Sequence, residues 1–194
     1  MAEAWPEDLE PTDMTWGVVY NNRAFTSSLS NAQQITSHPG AYWTCTLNFG
    51  VLYEEDEREL TSLLGRLQGM LGTVNIPSIT RIRTDNIGSP VVASAVAQST
   101  KIQLRGMTPG VRVFSRGDHI TILGEMFEVV EHVSSDGSGV ATIQVNKRVR
   151  KAITAGAAVE YRNPYCEMRR ADDTNQWSIQ PIVSNGSYQF REAF

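Results

Sequence analysis

Residues 54–71, EEDERELTSLLGRLQGML, decide the fold class of this chain. Leu60, Leu63, Leu64, Leu67, Met70 and Leu71 fall on one stripe at helical period, which predicts an amphipathic helix over 54–71. Glu54, Glu55, Asp56 and Glu57 place negative charge at the positive end of the helix dipole, and Gly72 stands where a C-terminal cap is expected. Burying six such side chains is worth roughly 10 kcal/mol before chain entropy is counted, so something flat and apolar has to cover the stripe. The preceding run, Tyr42-Trp43-Thr44-Cys45-Thr46-Leu47-Asn48-Phe49, can supply it. Side chains alternate along a strand, so Trp43, Cys45, Leu47 and Phe49 share one face opposite a threonine-rich one. A sheet with one helix across it is expected.

The rest of the chain reads as short β-type runs. Residues 16–20 and 32–37 precede the Trp43 strand, and beyond residue 101 no second helical stripe occurs. Runs at 101–105, 119–123, 126–132, 139–146 and 159–162 have the rhythm of a small barrel, with Asp136-Gly137-Ser138-Gly139 as a turn signal. Strand-like alternation returns in Trp177-Ser178-Ile179-Gln180 and Tyr188-Gln189-Phe190, which can rejoin the first sheet. The predicted fold is therefore mainly β, a β-rich α+β chain. Residues 14–98 and 166–194 form a β-sandwich-like domain with one amphipathic helix, interrupted by a small β-barrel insert at 99–165. Residues 1–13, acidic and carrying Pro6 and Pro11, read as an arm outside the core that a partner could order.

Composition excludes several classes of function. With 194 residues, 41% hydrophobic and 20% charged, the chain can bury a real core. Its net charge of −4 is concentrated in the arm, where Glu3, Glu7, Asp8, Glu10 and Asp13 have no base among them, so the remainder carries +1. The basic stripe of a DNA-coating protein is missing, and no specific nucleic-acid site is expected. No apolar run reaches the ~20 residues that cross a bilayer, and the first residues lack a leader pattern, so no membrane partner is expected and the protein is made and assembled in the cytoplasm.

Chemistry-bearing patterns are also missing. Cys45 and Cys166 lie in apolar runs and read as buried thiols, while His38, His119 and His132 are scattered, so no metal or cofactor site is predicted. There is no Gly-x-Ser-x-Gly turn and no phosphate loop, and the adjacent carboxylates of residues 54–57 cannot face each other across a substrate. No catalytic residue is expected. Arg116-Gly117-Asp118 matches an integrin-binding tripeptide but equally makes a turn into the strand at His119. The basic run 147–151 follows a strand and could touch nucleic acid or an acidic neighbour, but it reads first as a solvated loop. Trp43 and Trp177 are assigned to the core, whereas Trp5, Trp16, Arg148, Arg150 and Lys151 are interface candidates.

Four segments carry a resemblance: Gly117-Asp118-His119-Ile120, residues 136–145 beginning Asp136-Gly137-Ser138-Gly139, residues 156–159, and Pro164-Tyr165-Cys166-Glu167-Met168-Arg169-Arg170. In this order and spacing the chain resembles bacteriophage distal tail or baseplate hub proteins, closely over 116–170 and loosely over 14–194. Residues 145–150 depart from the proline-containing run associated with that family. The resemblance implies a structural virion protein at the tail tip, a homo-oligomeric ring, commonly a hexamer, joining the tail tube protein to a tail hub or receptor-binding proteins. It carries over no catalytic residue. The rival readings are a glycan-binding or adhesive β module with tryptophans as stacking platforms, and a head-to-tail connector or tail-completion protein.

Overall fold

The computed structural model describes residues 2–174, 176 and 184–194, and the chain is mainly β with one α-helix. Trp43, Cys45, Leu47 and Phe49 share one buried face, as their alternation requires. Their strand is far longer than 42–49. The runs at 32–37 and 42–49 are one element, β3 (Gln33–Leu52), antiparallel along its length to β2 (Asp13–Thr26).

Helix α1 (Glu54–Leu67) starts where its acidic residues place it but stops at Leu67, not Leu71. Gln68 and Gly69 turn left-handed, at φ 49 and 68, and the Gly72 N–H donates to the Leu67 carbonyl at 2.8 Å. Gly72 thus closes the turn behind the helix rather than capping a longer one. A Cβ there would stand 2.8 Å from the Leu67 oxygen. Leu60, Leu63, Leu64 and Leu67 are buried, while Met70 and Leu71, beyond the helix, are exposed. The four leucines pack on the Trp43 face together with Val74, Ile76, Met168, Tyr188 and Phe190.

Among the described residues, the sheet under α1 has six strands. β1 (Glu3–Ala4), β4 (Val74–Pro77), β12 (Tyr165–Arg170), β13 (Ser184–Glu192), β3 and β2 follow one another in that order, with only the β1–β4 pair parallel. Residues 188–190 lie in β13, so the end of the chain does return to the first sheet. Trp177 and the run 177–180 lie outside the described residues.

The acidic arm belongs to the core, against its sequence reading. Leu9 is buried, Trp5 stacks on Phe49 at 6.5 Å, and the Trp5 indole N–H donates to the Leu9 carbonyl at 2.8 Å. Two apolar side chains between the acids cover the open end of the helix-side core, which outweighs the solubility of their neighbours.

A second core lies within short strands that curl into a half-barrel: β5 (Gly88–Ala95), β6 (Lys101–Met107), β7 (Arg112–Phe114), β8 (His119–Ile122), β9 (Glu125–Glu128), β10 (Val133–Ser134) and β11 (Ala141–Gln144). β5 pairs with β6, and Ile87, Val92 and Ala95 point into this core, so it begins near residue 87 rather than 99. The proline and glycine of Gly88-Ser89-Pro90 obscure β5 in the sequence, because both weaken a strand reading.

Candidate functional site

Two features stand out: a projecting hairpin and a charged junction between the cores. β13 pairs with β3 only from Leu52 to Thr44, whereas β2 and β3 stay paired to Thr26 and Gln33. Among the described residues, 19–40 are therefore a two-stranded ribbon with no third strand, exposed throughout, and it extends roughly 20 Å at the usual rise per residue. Val19, Tyr20, Phe25, Leu29 and Ile35 present apolar surface on it. Its root is defined by a register shift between Val19 and Asn21 and by Gly40 at φ 112, a conformation that suits glycine. The Asn21 amide donates to the Pro39 carbonyl at 3.3 Å, and the Tyr20 hydroxyl donates to the Asn146 carbonyl of the half-barrel at 3.3 Å.

At the junction, the side chain of Lys147 is fully buried. Its ammonium donates to Glu192 Oε1 at 2.5 Å and Glu125 Oε1 at 3.0 Å, and lies 4.9 Å from the Phe127 ring. Arg150 donates to Glu192 Oε2 at 2.7 Å and to the Ala41 carbonyl at 3.1 Å. Glu192 Oε2 also accepts the Trp43 backbone N–H at 2.9 Å. Two cations from residues 147–150 and two carboxylates from β9 and β13, with backbone groups of β3, thus tie the half-barrel to the sheet. The Trp43 indole adds a hydrogen bond to the Met126 carbonyl at 2.8 Å.

The basic run 147–151 is consequently not a solvated loop. Buried Ala141, Ile143 and Val145 set an inward alternation that continues through Lys147 and Val149, so the lysine occupies a core position. That alternation was the available signal; Glu125 and Glu192 lie too far away in sequence to announce themselves. Of the interface candidates, Arg148 and Lys151 are exposed, whereas the structure turns three inward. Arg150 serves the junction, Trp5 covers Phe49, and Trp16 meets Trp43 edge-on at 5.9 Å. Trp43 itself contacts the His119 ring at 5.4 Å. Trp5, Trp16 and Trp43 are thereby occupied by their own core rather than offered as stacking platforms for a sugar.

The remaining motifs are structural. Asp118 of the Arg-Gly-Asp tripeptide accepts the Ser115 N–H at 2.7 Å and Arg83 at 2.8 Å, and Gly117 sits at φ 85, which makes a turn whose carboxylate is internally engaged. Asp136 accepts the Ser138 and Val140 N–H groups at 2.8 and 2.9 Å, fixing its turn. Both cysteines are free and buried, and burial pushes their thiols up, away from the reactive thiolate. Among the described residues, no group of three His, Cys, Asp or Glu stands close enough to hold a metal ion, and no helix is long and apolar enough to cross a membrane.

His119 lies against the Trp43 ring beside the junction. It shares a 2.8 Å hydrogen bond with Ser78 Oγ, and burial, reinforced by Arg81, lowers its pKa from 6.5 to about 4. The unfolded chain then binds a proton below pH 6.5 that the folded one refuses until about pH 4. The resulting stability is fully present above pH 6.5 and is lost as pH falls toward 4, by at most about 3 kcal/mol. Urea unfolding at pH 7 and pH 4.5 measures this loss, and His119→Gln is expected to flatten that part of the pH dependence.

No protein-family model matches the chain, and no curated protein matches it in sequence.

Proposed function

We propose that this chain is a structural protein of a phage tail tip, of the distal tail or baseplate hub kind, that assembles into a closed ring. The observation that carries this reading is the ribbon at residues 19–40. A two-stranded hairpin without a third strand is marginal in water, and its free edge and exposed apolar side chains invite pairing with another chain. A neighbouring copy satisfies both needs. Because the ribbon reaches away from its own body, such a contact joins unlike surfaces, and repetition closes a ring or grows a filament.

The segments at 116–170 that resemble distal tail proteins favour the ring and supply its setting. On this reading the working surfaces are interfaces, the chain is not an enzyme, and its neighbours are the tail tube protein on one side and hub or receptor-binding proteins on the other. The ring, commonly a hexamer in proteins of that kind, resides in the virion. The ionic junction then has a clear task, holding the half-barrel at a fixed angle to the ring-forming sheet. Negative-stain electron microscopy of the purified chain is expected to show rings. A variant with residues 22–37 replaced by Asn-Gly is expected to keep its circular dichroism and thermal transition but form none. Rings of the same size from the shortened variant would overturn the role given to the ribbon.

A further inference from the structure

The sheet face turned away from α1 carries two arginines without a carboxylate partner among the described residues. Arg169 on β12 and Arg191 on β13 are directly opposed across the strands, an arrangement that like charges disfavour unless an anion joins them. Arg169 Nε is buried without a hydrogen-bond partner, and the Arg191 guanidinium lies over the Tyr42 ring at 4.1 Å with no carboxylate. Beside them is a groove of about 450 Å³ between β12 and the β8–β9 turn, lined by Leu123, Lys151, Glu167, Arg169 and Phe194 among others. Lys151 is exposed and unpaired, and the apolar Leu123 and Phe194 are exposed at the rim, where the Arg150 guanidinium lies over the Phe194 ring at 4.1 Å. Glu167 shares the groove, but the other carboxylate there, Glu125, is already engaged by Lys147.

Opposite charge of the right form exists elsewhere on the chain. Glu7, Asp8 and Glu10 are exposed and unpaired, and they are held in a fixed turn because Leu9 between them is buried and its N–H donates to the Pro6 carbonyl at 3.3 Å. A turn already ordered loses little entropy on docking. The two features cannot meet within one molecule. The arm lies on the α1 side of the sheet and runs to Gly50, whose N–H donates to Thr12 Oγ1 at 2.9 Å, whereas Arg191 pairs with Thr44 and faces the other side. From Thr44 to Gly50 along β3 is roughly 20 Å.

We infer that the acidic turn at residues 7–10 of one copy docks on the next copy at the groove lined by Lys151 and Arg169 and at Arg191 beside it on the adjoining strand. This rests on the ring reading and names one of the contacts between its subunits. It is a heterologous contact, as a ring requires, and it assigns the arm's concentrated negative charge a partner in the nearly neutral body.

Charge exchange tests it on the full chain, using exposed positions only. Sedimentation velocity is measured for Lys151→Glu with Arg191→Glu, for Glu7→Lys with Glu10→Lys, and for all four changes together. Each pair alone is expected to weaken self-association by about tenfold or more, and the fourfold variant to recover most of it, because the opposed charges are restored in reverse. If every variant assembles like the unmodified chain, the contact is refuted while the ring stands. If the fourfold variant keeps its fold by circular dichroism but stays as weak as the pairs, the contact is likewise refuted. An unmodified chain that is monomeric at every concentration, alone and with a tail tube protein added, refutes the ring and this contact together.

Discussion

Glu192→Gln is expected to lower the free energy of unfolding by roughly 3–5 kcal/mol, because it leaves buried positive charge without its main counter-ion. Glu192 holds Lys147 with one carboxylate oxygen and Arg150 with the other, and its side chain is 1% exposed. The amide is nearly isosteric, so lost packing contributes little. What changes is the charge balance: Lys147, with a fully buried side chain, keeps only Glu125, which is 16% exposed. Lys147→Met should cost less, since Glu192 retains Arg150 and the Trp43 N–H, and methionine suits a site already bounded by the Phe127 ring. Urea unfolding of both variants checks the order. If the methionine variant is the less stable of the two, Glu192 is not the centre of the junction.

Trp43→Ala is expected to cost about as much, roughly 3–5 kcal/mol, for a different reason. The indole is 3% exposed and contacts the rings of Trp16 and His119. It also donates the hydrogen bond that the Met126 carbonyl accepts from across the junction. Truncation opens a cavity between the two cores and removes the donor for that buried acceptor. Trp43→Phe separates the terms: most of the ring contact survives, and the loss should fall to about 1–2 kcal/mol. Unfolding followed by far-ultraviolet circular dichroism should show one transition in the native chain and a broader or divided one in the alanine variant. A single, equally steep transition would mean that the cores are coupled mainly elsewhere.

These two sites mark the boundary between what the sequence discloses and what it hides. Local periodicity is legible: the alternation at 42–49 and the leucines at 60, 63, 64 and 67 each identify their buried face. The helix end is less so, because Met70 and Leu71 keep the stripe's period in the sequence while the backbone has already left the helix at Gln68. The arm misleads in the opposite way. Its five acids dominate a composition reading, but burial is decided by Trp5 and Leu9.

The junction is hidden for a topological reason. Lys147 meets Glu125 and Glu192 across intervals of 22 and 45 residues, and no local pattern distinguishes a lysine at an inward strand position from one in a solvated basic run. The ribbon is hidden because 32–37 and 42–49 look like separate strands interrupted by Pro39-Gly40. In the structure this dipeptide is a bend within β3 at the root of the hairpin. The interface candidates follow from these omissions. Aromatic and basic residues are good anchors in general, but Trp5, Trp16 and Arg150 are used inside the chain, whereas Lys151 and Arg148 remain outside.

Assembly into a ring is tested most directly by the mass of the unmodified chain in solution, measured by native mass spectrometry over a wide range of concentration. A ring-forming protein gives one closed oligomer, with a mass that is a fixed small multiple of 21.5 kDa and does not grow with concentration. A monomer at every concentration, alone and with a tail tube protein added, would contradict it.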